Sequence, residues 1–144
     1  MTGSIQPGSK TLRRFFELQS LDLTLLNGDA ATLTEGQEVK ISGNNTVAKR
    51  AAADYPVGIV KIPGKSGERI TVVTTLSADL AGVASAGAAL AAGQFVAPTG
   101  NKNAAGQPEY AVATAGQYVL AVVLAGGAAG SEVRLGVLRT PFKA

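Results

Sequence analysis

The stretch LTEGQEVKISGNNTVAKR (Leu33 to Arg50) returns, changed, as LAAGQFVAPTGNKNAAGQ (Leu90 to Gln107). Gly36-Gln37-x-Val39 matches Gly93-Gln94-x-Val96, and Gly43-Asn44 matches Gly100-Asn101, each at an offset of 57. Farther on, Tyr55 matches Tyr118, Ile59-Val60 matches Val122-Val123, Gly67 matches Gly130, and Ile70 and Val72 match Val133 and Leu135, each at an offset of 63. The second copy is therefore longer by six residues, within NKNAAGQPEYAVATAG. Turn residues fill that segment, and lengthening a loop costs little. Chains rich in Gly, Ala and Val produce chance matches, but several spacings agree within each block. A repeat with two copies and a long period predicts two similar β-units packed as one barrel or sandwich, with pseudo-twofold character.

Each copy reads as short strands between tight turns. A strongly apolar strand (PVGIVKI, YVLAVVL) precedes a Gly-rich turn and an alternating strand, ERITVVTT or SEVRLGVLRT. The alternation puts Ile70, Val72 and Thr74, or Val133, Leu135 and Val137, on one face. LDLTLLNGDAATL reads as two strands around an Asn27-Gly28 hairpin turn. LSADLAGVASAGAALAAG permits a helix by its Ala and Leu, but Gly82, Gly87 and Gly93 interrupt it. It is expected to be an extended linker with a short strand. The division expected is an N-terminal arm over residues 1–20 and a β-domain over 21–144, with repeat units at about 33–75 and 90–139.

Composition narrows the chemistry. The chain has no Cys, His or Trp. It thus lacks thiolate nucleophiles, disulfides and the commonest general base and metal ligand. The ten acids are dispersed without metal-ligand spacing. PGKSG (Pro63 to Gly67) holds a Gly-Lys-Ser but lacks the earlier Gly of a phosphate-binding loop, and a strand follows it where a helix is needed. GGAAG lacks dinucleotide-loop spacing, and Asn44-Asn45-Thr46 reads as a turn. Asp54 and Glu68 could approach across a turn, with surface salt bridges the ordinary reading. No catalytic, cofactor-binding or metal residues are assigned, and the expectation is a protein that is not an enzyme. No stretch reads as a membrane span, and the start lacks the apolar core of a secretion signal. A cytoplasmic product is expected.

Charge is local. Residues 1–16 hold Lys10, Arg13 and Arg14 and no acid, which accounts for the whole net charge of +3. The rest, with ten bases and ten acids, is neutral. The basic segment is either a solvated tail or an arm that docks on an acidic partner surface. Phe15 and Phe16 beside it either tuck under the protein's own sheet or reach a neighbouring subunit. Nucleic-acid binding is not expected, because the neutral body supplies no basic groove.

The rhythm TVAKRAAADYPVGIV, a Gly-Glu turn and ITVVTT, then ALAAGQFVAPTG and GQYVLAVVLAGGAAGSEVRLGVLR, resembles tailed-bacteriophage head decoration (cement) proteins over roughly residues 33 to 139. The resemblance implies a small β-rich domain, often a homotrimer, bound outside the capsid at quasi-threefold sites, with an arm along the capsid or a neighbouring decoration subunit. It implies a virion protein made in the bacterial cytoplasm, with the major capsid protein and further copies of itself as partners. It implies no cofactor, nucleic acid or membrane. By position and composition, Lys10, Arg13, Arg14, Phe15 and Phe16 are the capsid-contact candidates. The rival readings are a head-fibre or tail-associated β-module, whose insertion at Asn101 to Gly106 would bind a receptor or glycan, and a β-rich nucleotide hydrolase using clustered Asp and Mg²⁺.

Overall fold

The computed structural model describes residues 22–74, 79–84 and 87–144. Among them every regular element is a strand: β1 (Asp22–Asn27), β2 (Glu38–Gly43), β3 (Thr46–Lys49), β4 (Gly58–Ile62), β5 (Arg69–Val73), β6 (Asp79–Ala84), β7 (Phe95–Lys102), β8 (Pro108–Val112), β9 (Tyr118–Ala125) and β10 (Glu132–Lys143). Strands β1-β3-β2-β4-β5 close one barrel, and β6-β8-β7-β9-β10 close a second in the corresponding order. In each, the first strand runs parallel to the third, as β1 with β3 and β6 with β8. The fold is all-β, built from two similar units. Each unit closes its own sheet, so every strand among the described residues has a partner strand on both sides.

The repeat is carried by the hydrogen-bond register. Leu33 bridges Gly64 in the first barrel and Leu90 bridges Gly127 in the second, at the two offsets seen in the sequence. Ile41 pairs with Val47, and Pro98 with Tyr110. The change of offset therefore falls between those partners, in the β7–β8 hairpin. That hairpin is closed by Asn103, whose Nδ2 donates to Gln107 Oε1 at 2.8 Å and whose Oδ1 accepts from the Gln107 amide.

One turn recurs. In Thr34-Glu35-Gly36-Gln37, Lys65-Ser66-Gly67-Glu68, Ala91-Ala92-Gly93-Gln94 and Thr114-Ala115-Gly116-Gln117, the first residue's N–H donates to the fourth residue's side-chain oxygen at 2.7–2.9 Å. The glycines have φ of +79° to +88°, as the third position of a type II turn requires. Ala51 to Asp54 closes the same way, with the Ala51 amide on Asp54 Oδ2 at 2.9 Å. PGKSG is one of these turns.

Two local readings are corrected. LDLTLLNGDAATL is not a hairpin, because β1 pairs with β5 and β3 instead. The reason is Asn27, which is buried. Its side-chain amide donates to the carbonyls of Ala31 and Gly64 and its oxygen accepts from the Asp29 amide, so it pins the chain to the barrel wall. The short strand expected in the linker stretch is β6, and the correction is that it belongs to the second barrel as its first strand and does not merely connect the units.

The cores match position by position. Leu33, Val39, Val60, Ile70 and Val72 fill the first barrel, and Leu90, Val96, Val123, Val133 and Leu135 fill the second. One pair is exchanged for another in which the bulk is moved from one strand to its neighbour. Leu25 and Val47 in the first barrel correspond to Gly82 and Tyr110 in the second. A Cβ on Gly82 would lie 2.8 Å from the Tyr110 ring and 3.1 Å from Leu135. Gly82→Ala is therefore expected to destabilise the fold by about 1–3 kcal/mol through overpacking. Urea denaturation reads the change, and an unaltered midpoint would contradict the packing account.

Candidate functional site

The seam between the barrels is built by a buried ion pair. Glu38 opens β2 and Arg50 follows β3, and both side chains are fully buried. Arg50 Nε and Nη2 each reach Glu38 Oε1 at 2.8 Å. Its Nη1 donates to the carbonyls of Ala51, Ala52 and Asp54, which holds the 51–54 turn. The planar, forked guanidinium supplies all these donors at once, which an ammonium could not do.

The second barrel completes the cluster. Tyr110 spans its core and donates from Oη to Glu38 Oε2 at 2.9 Å. Arg50 Nη2 donates to the Tyr118 carbonyl at 2.8 Å, and the Tyr118 amide donates to Ala52. The Tyr55 and Tyr118 rings meet edge to face, 5.2 Å between centroids. Thr34 donates to the Gly106 carbonyl, Lys49 to Gly100, and Lys102 to Thr32. The Asn101 to Gly106 insertion thus leans on the first barrel.

Burial pushes the Glu38 carboxyl upward, opposed by the Arg50 charge and by hydrogen bonds from Arg50 and Tyr110. Burial and then the Glu38 charge push the Tyr110 phenol well above its ordinary value. Every buried side-chain nitrogen and oxygen among the described residues has a partner. The cluster is thus a sealed, satisfied clasp with no access for a substrate. Where the barrels part, a cleft of about 230 Å³ opens between Tyr55, Ile59, Leu120 and Val137, and among the described side chains that line it none is Asp, Glu, Lys or Arg. No group of three or more acidic residues among the described ones could hold a metal ion.

The candidates Lys10, Arg13, Arg14, Phe15 and Phe16 lie outside the described residues. The described chain starts at Asp22, whose carboxylate takes an exposed ion pair from Lys61 at 2.9 Å. Asp54 and Glu68 do not meet. Asp54 pairs with Lys40 at 2.8 Å, and that hydrogen bond and the Ala51 amide hold its carboxyl below the usual range. Glu68 caps the Lys65 amide. Sequence reading missed Glu38, Arg50 and Tyr110. The signal was present in the repeat, where Phe95 and Ala113 stand opposite Glu38 and Arg50, and Val47 stands opposite Tyr110. The polar contacts of the seam are consequently not reciprocal, and the expected twofold character does not extend to them.

Arg50→Met, which strands the Glu38 charge, should cost about 3–5 kcal/mol in urea denaturation. The double variant Glu38→Met, Arg50→Met should recover part of that loss, and a double variant no more stable than the single one would refute the pairing account. Because the folded-state pKa of Tyr110 lies above its unfolded value, its contribution is fully present below about pH 10 and is lost as pH rises toward the folded value. Stability measured between about pH 9 and about pH 11 should fall, and Tyr110→Phe should flatten that slope while costing about 1–3 kcal/mol near neutrality.

No protein-family model matches the chain, and no curated protein matches it in sequence. Among solved structures, it is similar to the head fiber gp8.5 N base in bacteriophage phi29, with a TM-score of 0.57 at 12% identity, over 87% of this chain and 99% of that one. At that identity the likeness establishes a shared fold.

Proposed function

We propose that this chain is a non-enzymatic structural protein of a bacteriophage head, a decoration protein that sits on the capsid exterior and stabilises it. The observation that carries the reading is the two-barrel fold, shared over nearly the whole length of a head-fiber base. The residue chemistry supports it: there is no His or Cys, the buried Glu38–Arg50 pair is consumed by the seam, and no described side chain lining the cleft is an acid or base. The partners are the major capsid protein and further copies of this chain. A body of closed barrels keeps its shape under load, while the basic segment at residues 10–14 supplies charge the neutral body lacks.

The same likeness favours a second reading, in which the chain is the base of a head fiber and a further module carries a receptor-binding tip. The insertion at Asn101 to Gly106 is poorly suited to be that tip, since its backbone and Lys102 are engaged with the first barrel.

Deleting residues 1–16 should leave the barrels folded and abolish attachment to heads, because Lys10, Arg13, Arg14, Phe15 and Phe16 leave together. Co-sedimentation of tagged full-length and truncated protein with DNA-filled heads reads this out. Equal occupancy of the truncated protein would sink the arm assignment, and failure of the full-length protein to travel with heads would sink the head reading.

A further inference from the structure

Apart from the edge contact of Tyr55 with its own counterpart Tyr118, the seam is heterologous: one face of the first barrel meets a different face of the second. Two like units joined in this way leave one unused copy of each face, one per barrel. The matched registers identify both.

The face that the first barrel contributes includes Gly36, Glu38, Lys49 and Arg50. Its counterparts on the second barrel are Gly93, Phe95, Val112 and Ala113. A Cβ on Gly36 would meet Leu80 and Pro108 across the seam, whereas one on Gly93 would meet nothing within 4 Å. Phe95 is 47% exposed and Val112 45%. Phe142, 40% exposed, stacks edge to face on Phe95 with 5.0 Å between centroids. Phe95 therefore stands open where its counterpart Glu38 is polar and buried, and Val112 stands open where its counterpart, the exposed Lys49, reaches across to Gly100.

The face that the second barrel contributes includes Leu80, Pro98 and Tyr118. Two of their counterparts on the first barrel stand open, Leu23 and Ile41, exposed by 44% and 58%, while Tyr55, the counterpart of Tyr118, meets Tyr118 itself at the edge of the seam. Ile41 and Tyr55 line one shallow groove with Lys40, Asp54 and Val57. Of the nine large apolar side chains exposed among the described residues, five belong to these two unused faces. Scattered exposed apolar residues are ordinary, but such a concentration on two matched faces marks an interaction surface.

We propose that the chain self-associates head to tail, with the Phe95–Val112–Phe142 face of one copy seated on the Leu23–Ile41 face of the next. The occupant is a second copy because the chain already seats a barrel of this fold on the counterpart face. The proposal deepens the self-assembly in the reading above by naming its faces, and it does not depend on attachment to a head. A head-to-tail contact closes into a ring or runs on as a filament, depending on the rotation per step.

Mixing two variants of the full chain tests it. Phe95→Glu blocks one face and Ile41→Glu the other, and both sites are exposed, so circular dichroism should show each folded. By analytical ultracentrifugation the wild-type chain should associate. Each variant alone should associate at least about 30-fold more weakly. Mixed, they should form a one-to-one dimer through the single intact pair of faces, which an isologous contact could not do. Because the chain has no Cys, a mixture of Ile41→Cys and Phe95→Cys chains should also cross-link between copies on oxidation. A wild-type chain that stays monomeric, variants that associate like wild type, or a mixture that fails to dimerise would each overturn the proposal. Head co-sedimentation, scored separately, distinguishes such a failure from failure of the head reading.

Discussion

A carboxylate and a guanidinium withdrawn from water hold this molecule in one shape. Removing such charges from solvent is expensive, and only close geometry with complete hydrogen bonding offsets the cost. Glu38 and Arg50 meet that condition with help from the second barrel, which supplies the Tyr110 hydroxyl and the Tyr118 carbonyl. Neither barrel alone satisfies the cluster. The relative placement of the barrels is thereby specified by hydrogen-bond directions, where apolar contact alone would allow sliding.

That placement decides what the surface offers. The seam consumes one face of each barrel and covers Gly36 while leaving its counterpart Gly93 open. What remains outside is largely apolar at two sites and otherwise ordinary protein surface.

Much of this architecture was legible in the sequence. The two offsets located the insertion to the hairpin where the registers change, and the alternation of Ile70 with Val72 and of Val133 with Leu135 named core residues. Asn27-Gly28 misled because the dipeptide signals a hairpin locally, while the Asn27 side chain is bound to a carbonyl 37 positions away. β6 was obscured by small residues, since Gly82 must be small to admit Tyr110. The clasp was missed for a different reason. A repeat is read from positions that agree, and Glu38, Arg50 and Tyr110 are the positions that differ.

The exchange of Leu25 and Val47 for Gly82 and Tyr110 has a consequence during folding. Two barrels with the same strand order on one chain invite strand exchange, a common failure of repeat proteins. Were β1 to enter the second barrel in place of β6, Leu25 would collide with the Tyr110 ring. Were β6 to enter the first, Gly82 would leave a void beside Val47. Each wrong assembly is penalised, one by collision and the other by a cavity. The mismatch between the copies works as a proofreading device, and it keeps two nearly interchangeable halves from trading parts.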